Sequence, residues 1–233
     1  MTQTGQSGQA AVESALTLPL VVFLLLGTTQ LFLLLQARVL AEYAVFRAVR
    51  VGSTNSAQCR PMMDAAVLAL LPSFKTYLHG GNPSAELASA FLAHGVSNQW
   101  HYNDDFQTGG ATRHLSGNIL LMERTFSKTV NAADELDFDQ PGPPQRLTVR
   151  MVYWYPLRIP FANWVFSKMV LGYDAANPLL ETQKAKWEKV NLNYQSVVAA
   201  RAAAGEYVLP VVATYSMRMM SPVTDSAASC GGK

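Results

Sequence analysis

From Ser14 to Ala37 the chain carries no charged side chain, and Leu, Val and Phe fill most of the positions. At 1.5 Å per residue a helix over that run rises roughly 36 Å, enough to cross a hydrocarbon core of about 30 Å. Thr17, Thr28, Thr29 and Gln30 interrupt the apolar pattern, but such side chains hydrogen-bond back to their own helix or to a neighbouring one. Pro19 kinks a helix without ending it in lipid. A cleaved secretory signal would carry a basic start, a shorter apolar core and a small-residue cleavage site. None of the residues before Gly8 is basic, and the core is too long, so the pattern predicts a retained transmembrane helix.

The helical pattern continues past Ala37. Leu40, Tyr43, Ala44, Ala48 and Val51 extend an apolar stripe, while Arg38, Glu42, Arg47 and Arg50 take the other positions. One helix is expected from about Ala10 to about Val51, with roughly half of it beyond the hydrocarbon core. Such a stripe must pack on its own domain or on partner helices. Gly52, Ser53, Thr54 and Asn55 supply a stop.

The remainder reads as mixed α and β. Pro61 suits the first turn of a helix through Met62 to Leu71, and Asn82 with Pro83 opens another that Gly95 closes. Ser97 to Gly110 is polar and turn-rich, a loop. Leu115, Ile119, Met122, Phe126 and Val130 recur at helical spacing and predict a third helix. Asp139 to Gln145, DQPGPPQ, fits neither a helix nor a sheet interior and marks the change to β structure. Two alternating strands are expected, one with Leu147, Val149, Met151, Tyr153 and Tyr155 on a face, the other with Val211, Ala213, Tyr215, Met217 and Met219. Between them Glu181 to Ala204 reads as a helix, with Trp187, Val190, Tyr194 and Val197 inward and Gly205 as its stop. The fold class is therefore α+β: a long amino-terminal transmembrane helix, then a globular domain with a few helices and a small sheet, expected to be antiparallel.

One apolar segment is ambiguous. Phe161, Trp164, Val165, Phe166, Met169, Val170 and Leu171 are too few to span a bilayer. They read first as core; the alternative is an exposed patch facing other subunits or the membrane surface.

Composition adds little chemistry. The chain has 233 residues, a formal net charge of +2 and no Lys/Arg-rich cluster with interleaved aromatics, which argues against a nucleic-acid partner. His101, Asp104, Asp105 and His114 fit no standard metal spacing. Asp134, Glu135, Asp137 and Asp139 resemble a calcium loop only superficially, since Pro141 replaces an expected ligand and Thr148 stands where the closing Glu belongs. There is no G-x-S-x-G, H-E-x-x-H or P-loop. The sequence indicates no catalytic residue, no metal site and no cofactor. Its two cysteines are Cys59, soon after the long helix, and Cys230, near the carboxyl terminus. A bridge would close a large loop and place the domain in an oxidising compartment, whereas free buried thiols are the alternative.

The start of the chain carries the sharpest motif. A short polar leader ends in Gly8, and Gln9-Ala10-Ala11-Val12-Glu13 then leads into the apolar helix. A carboxylate drawn into a helical bundle near the membrane boundary costs several kcal/mol unless a cation meets it. A cut after Gly8, which the family resemblance given next implies, would create that cation, the α-amino group of Gln9. In a staggered bundle the amine of one subunit reaches the glutamate of the next, and a buried polar pair of this kind fixes register. Otherwise Glu13 is an acid hydrated at the interface, or one that favours the helix dipole.

These residues resemble type IV prepilins and pseudopilins, in which a leader peptidase cuts after such a glycine and a glutamate stands fifth in the mature chain. AAVESALTLPL, with Pro19 inside the helix and Arg38, Arg47 and Arg50 after it, is similar to TadE-type pseudopilins of the tight-adherence (Flp) pilus and secretion systems. LTVRMVYWYPL followed by Arg158-Ile159-Pro160, and the tail LPVVATYSMRM, also look like that family. The resemblance is strong over Gly8 to Gly52, looser over Leu147 to Met219 and absent between.

It implies a leader over residues 1–8, an assembly helix over 9–52 and an extracytoplasmic domain over 53–233. It implies as partners a prepilin peptidase, other pilin or pseudopilin subunits, an inner-membrane assembly platform and membrane lipid. The implied location is the inner membrane, crossed once, or a cell-surface pilus. The leader lacks the Lys or Arg common in prepilins, while Arg38, Arg47 and Arg50 crowd the far side of the span. By the positive-inside rule alone the domain would stay in the cytoplasm; the cleavage motif and the cysteines point the other way. The competing class is a membrane-anchored binding or enzymatic domain that never polymerises.

Overall fold

The computed structural model describes residues 7–74, 82–95, 98, 117–127, 145–176, 194–223 and 229–230. Helix α1 (Ser7–Thr54) runs unbroken through Pro19 and leads to α2 (Cys59–Phe74) and α3 (Pro83–Gly95). Strands β1 (Leu120–Phe126) and β2 (Arg146–Pro156) follow, then α4 (Ala162–Ala176), α5 (Tyr194–Ala203), β3 (Val208–Arg218) and the short β4 (Ser229–Cys230). The strands form one sheet in the order β3-β2-β1-β4. Every pairing is antiparallel, with Met151 opposite both Met122 and Ala213. The class is α+β: a long apolar helix followed by a small domain with helices and an antiparallel sheet.

The distal half of α1 belongs to the domain core. Ala37, Ala41, Ala44, Val45, Ala48 and Val49 are buried, and they pack against α2, β2 and β3. The inward stripe is thus the small one. Of the larger stripe expected from the pattern, Tyr43 is exposed and Leu40 only half-buried. Small side chains let the sheet approach the helix axis closely, as small-residue helix faces do.

Helix α1 ends at Thr54, inside the Gly52–Asn55 run expected to stop it, and Gly52 itself serves the same close approach: a Cβ there would meet Met62 Sδ at 2.7 Å and Leu147 Cδ2 at 2.8 Å. The chain turns at Ser56 and Ala57, whose φ values of 54° and 56° are left-handed. Two side chains add hydrogen bonds to that turn, beside the bond from the Ala57 amide to the Gly52 carbonyl at 2.8 Å. Arg124 Nη1 donates to the Ala57 carbonyl, and the Ser56 amide donates to Ser221 Oγ at 2.7 Å.

Arg124 also explains a departure from the sequence pattern. The helix expected over Leu115 to Val130 is, among the described residues 117–127, strand β1. Leu120, Met122 and Arg124 are the buried, alternating positions. An arginine at the third of them breaks the apolar alternation by which a strand is read and leaves a helical spacing as the better match. Beside it, Glu123 and Arg150 are register partners on adjacent strands, 3.9 Å apart.

Strand β2 is covered on both faces at its distal end. Leu147, Val149, Met151, Tyr153 and Tyr155 face one way, but Val152 and Trp154 are buried as well. Arg201 of α5 lies 5.4 Å from the centre of the Trp154 ring, a cation–π geometry. The α5 helix ends where Gly205 takes φ 80° and the Glu206 amide bonds the Arg201 carbonyl at 2.8 Å, a glycine C-terminal stop. The earlier part of the helix expected from Glu181, with Trp187 and Val190, lies outside the described residues, as do Leu115, Val130, and Asp139 to Pro144.

Cys59, the first residue of α2, is bonded to Cys230 of β4, a link across 171 residues of sequence. Met122 pairs with Cys230 in register, so the tail is held both covalently and by the sheet edge. Cys230→Ser is expected to lower stability by about 2–4 kcal/mol, because the unfolded chain regains the entropy of a very long loop. Denaturant titration of the full chain in micelles checks this; equal midpoints for the two proteins would contradict it.

Tyr153 gives a second expectation. Its hydroxyl lies 2.7 Å from Ser73 Oγ in the core. Burial raises its pKa well above the ordinary 10.0, with the Ser73 hydrogen bond opposing in part. The folded state therefore keeps a proton that the unfolded state loses near pH 10. Stability from this group is present below that pH and falls above it by about 1.4 kcal/mol per pH unit. Unfolding titrations between pH 8 and pH 11 should show a shallower alkaline fall for Tyr153→Phe, with about 1 kcal/mol lost at neutral pH with the hydrogen bond.

Candidate assembly surface

The residues singled out at the start of the chain lie on α1. Gly8 and Gln9 are in its first turn, and Glu13 follows one turn after Gln9, exposed. The Glu13 carbonyl accepts a hydrogen bond from Thr17 Oγ1 at 3.0 Å, the return of a hydroxyl to its own helix that keeps a polar side chain satisfied in lipid. Thr28 and Thr29 do the same to the Leu25 carbonyl, at 3.0 and 2.8 Å. Within one copy, no cation of the described residues reaches the Glu13 carboxylate.

Between Val12 and Leu25 the large apolar side chains of α1 are exposed on all sides. It is the one helix among the described residues long and apolar enough to cross a membrane, which supports single-pass anchoring.

From Leu31 onward the exposure becomes one-sided. Leu31, Phe32, Leu35, Val39 and Tyr43 are exposed, a stripe at helical spacing on the side away from the buried alanines. Next to it α1 and α2 enclose a cleft of about 290 Å³ lined by Leu40, Tyr43 and Arg47 with Ala65, Leu68 and Pro72. The sequence pattern had merged this outer stripe with the inner one, because both are apolar; side-chain size was the signal that separates them. Arg38 stands between the two faces, where it bonds Glu42 Oε1 at 2.9 Å and donates to the Val212 carbonyl of β3.

The other side-chain clusters considered from sequence, His101, Asp104, Asp105 and His114, and Asp134 through Asp139, lie outside the described residues. Among the described residues no three His, Cys, Asp or Glu side chains converge as metal ligands would.

What the surface offers is a long apolar helix with an acid near its start and an uncovered stripe that continues past the membrane. No curated protein and no solved structure matches the chain. Residues 8–50, which carry Gly8, Gln9, Glu13 and the uncovered stripe, match the family model described as TadE-like protein, and this supports a pilus-related protein of the tight-adherence system.

Proposed function

We propose that this chain is a non-catalytic pilin-like subunit, a minor pilin or pseudopilin, cut by a prepilin peptidase between Gly8 and Gln9 and assembled through α1 into a tight-adherence pilus or secretion apparatus. The observation that carries the reading is the position of Gly8 and Glu13 at the head of an exposed apolar helix, inside the segment that matches the TadE-like family. In this reading residues 1–8 are the leader, 9–52 the anchoring and assembly helix, and 53–233 an extracytoplasmic domain. The Cys59–Cys230 bond supports an oxidising compartment for that domain. The partners are the peptidase, neighbouring subunits, an inner-membrane assembly platform and lipid.

Glu13 supplies register. Once cut, each subunit carries a new amine at Gln9, and a neighbour shifted along the bundle axis brings its Glu13 carboxylate to it. The pair is worth having because each charge alone is costly in a poorly hydrated bundle. The outer stripe from Leu31 to Tyr43 continues the contact with adjacent helices out of the bilayer, where Val39 and Tyr43 lie past the apolar span.

Two substitutions separate processing from assembly. Gly8→Val should leave the precursor uncut in the membrane, since the peptidase needs close approach to an unshielded backbone, which glycine permits. Intact mass of the protein from its host checks this, and a wild-type chain still beginning at Met1 beside an active peptidase would refute cleavage itself. Glu13→Val should be inserted and cut normally but fail to assemble. An unpaired Gln9 amine costs about 3–5 kcal/mol, which lowers association at least about a hundredfold. Co-purification of the cut variant with its assembly partners is the measurement; recovery at the wild-type level would reduce Glu13 to an interfacial acid.

A further inference from the structure

Helix α4 is amphipathic in the wrong sense for a water-exposed surface. Its polar residues Asn163 and Ser167 are buried, at 4% and 2% exposure, while Phe161 before it and Trp164 and Met169 within it are exposed at 58%, 48% and 63%. Phe161 also adopts φ 69°, a left-handed conformation unfavourable for a bulky side chain. That conformation turns the ring out of the domain and onto α1, edge-on to Phe23 with ring centres 5.8 Å apart. Core packing accounts for the half-buried Phe166 and Leu171 but not for this outer face.

The contacts with α1 fix the depth of the segment. The hydrocarbon core takes about 20 helical residues, and every window of that length that avoids Glu13 and Arg38 includes Leu18 to Leu33. Phe23 and Gln30 therefore lie within the hydrocarbon in each such placement. Phe161 touches the first, and the Ile159 amide donates to Gln30 Oε1 at 2.9 Å. Gln30 itself is 1% exposed.

We infer that the Ile159–Phe161 turn and the outer face of α4 are embedded in the lipid leaflet beside α1, so that the domain is wedged into the bilayer rather than held above it. The occupant of this face is lipid: the patch is continuous with the anchor helix, and it lies at a depth where acyl chains are the solvent. Irregular chain at this depth needs polar groups satisfied by protein, and several of those in the turn are. The Ile159 amide is taken by Gln30, Pro160 has no amide hydrogen, and the Ala162 and Asn163 amides bond the Pro160 and Ile159 carbonyls at 2.8 and 2.9 Å. Arg158, just before the turn, points its guanidinium into the domain and donates to the Ser73 carbonyl. Lys168 is the exposed cation of the face, and its long stem allows the ammonium to reach the headgroups.

The inference depends on α1 crossing the bilayer and not on cleavage or assembly, so it stands or falls separately from the proposed function. The test uses the full chain in phosphatidylcholine vesicles at high lipid-to-protein ratio, with lipids brominated in the middle of the acyl chain as quenchers. The Trp164 contribution is the difference between the wild type and Trp164→Phe. It should lose intensity with brominated lipid and resist quenching by aqueous acrylamide. Phe23→Trp, made in the Trp164→Phe background, serves as the depth reference and should be quenched by the same lipids. Quenching of Trp164 by acrylamide but not by brominated lipid would overturn the inference, as would protection from both, which would mean that protein covers the face. A Phe23→Trp probe that the lipids do not quench would also overturn it, because the wedge requires α1 to be inserted.

Discussion

The close approach between α1 and the sheet is the contact on which the rest of the fold is built. It is possible because the inner face of the helix between Ala37 and Gly52 is made of alanine, valine and glycine. Burying small side chains removes less apolar area per residue than burying leucines would. The gain is proximity, which lets β2, β3 and α2 all share one helix as their common wall. A helix that would otherwise leave a membrane and end in water becomes the core element of a domain. The orientation of the domain relative to the anchor is thereby set by packing and not by a linker.

Several polar contacts lock that arrangement at its margins. Arg38 joins α1 to β3, Arg124 joins β1 to the turn after α1, and Arg158 joins the end of β2 to the end of α2. Arg124 and Arg158 donate to carbonyls at a turn and near a helix end, and Arg38 donates to a carbonyl of β3, an edge strand of the sheet. The disulfide closes the far side, where β4 is too short to hold by pairing alone.

Because the distal half of α1 is committed to the domain on one side, what remains for association is the opposite side and the bare segment before Leu26. That division of a single helix into an exposed apolar start, a domain-packed inner stripe and an uncovered outer stripe is what supports the proposed reading of an anchored, assembling subunit. The family match over residues 8–50 falls on this helix.

The sequence by itself determined the long helix, its apolar span, the motif at Gly8 and Glu13, helices α2 and α3, and the strands β2 and β3. These are features that repeat a period or use proline and glycine punctuation, so neighbouring residues suffice to specify them. It did not determine which apolar stripe of α1 faces inward, because hydrophobicity distinguishes apolar from polar but not the close-packed from the bare. It misread β1, where the buried position is Arg124 and the satisfying carbonyl at Ala57 comes from a distant turn. It placed the end of α1 in the Gly52–Asn55 run, but did not show the second use of Gly52, whose missing side chain admits Met62 and Leu147. It left α4 between core and surface, and there the outcome rests on contacts of Phe161 and Ile159 with residues more than a hundred positions earlier. Local pattern fixes what an element is; only the partner that arrives from elsewhere in the chain fixes which of its faces is covered.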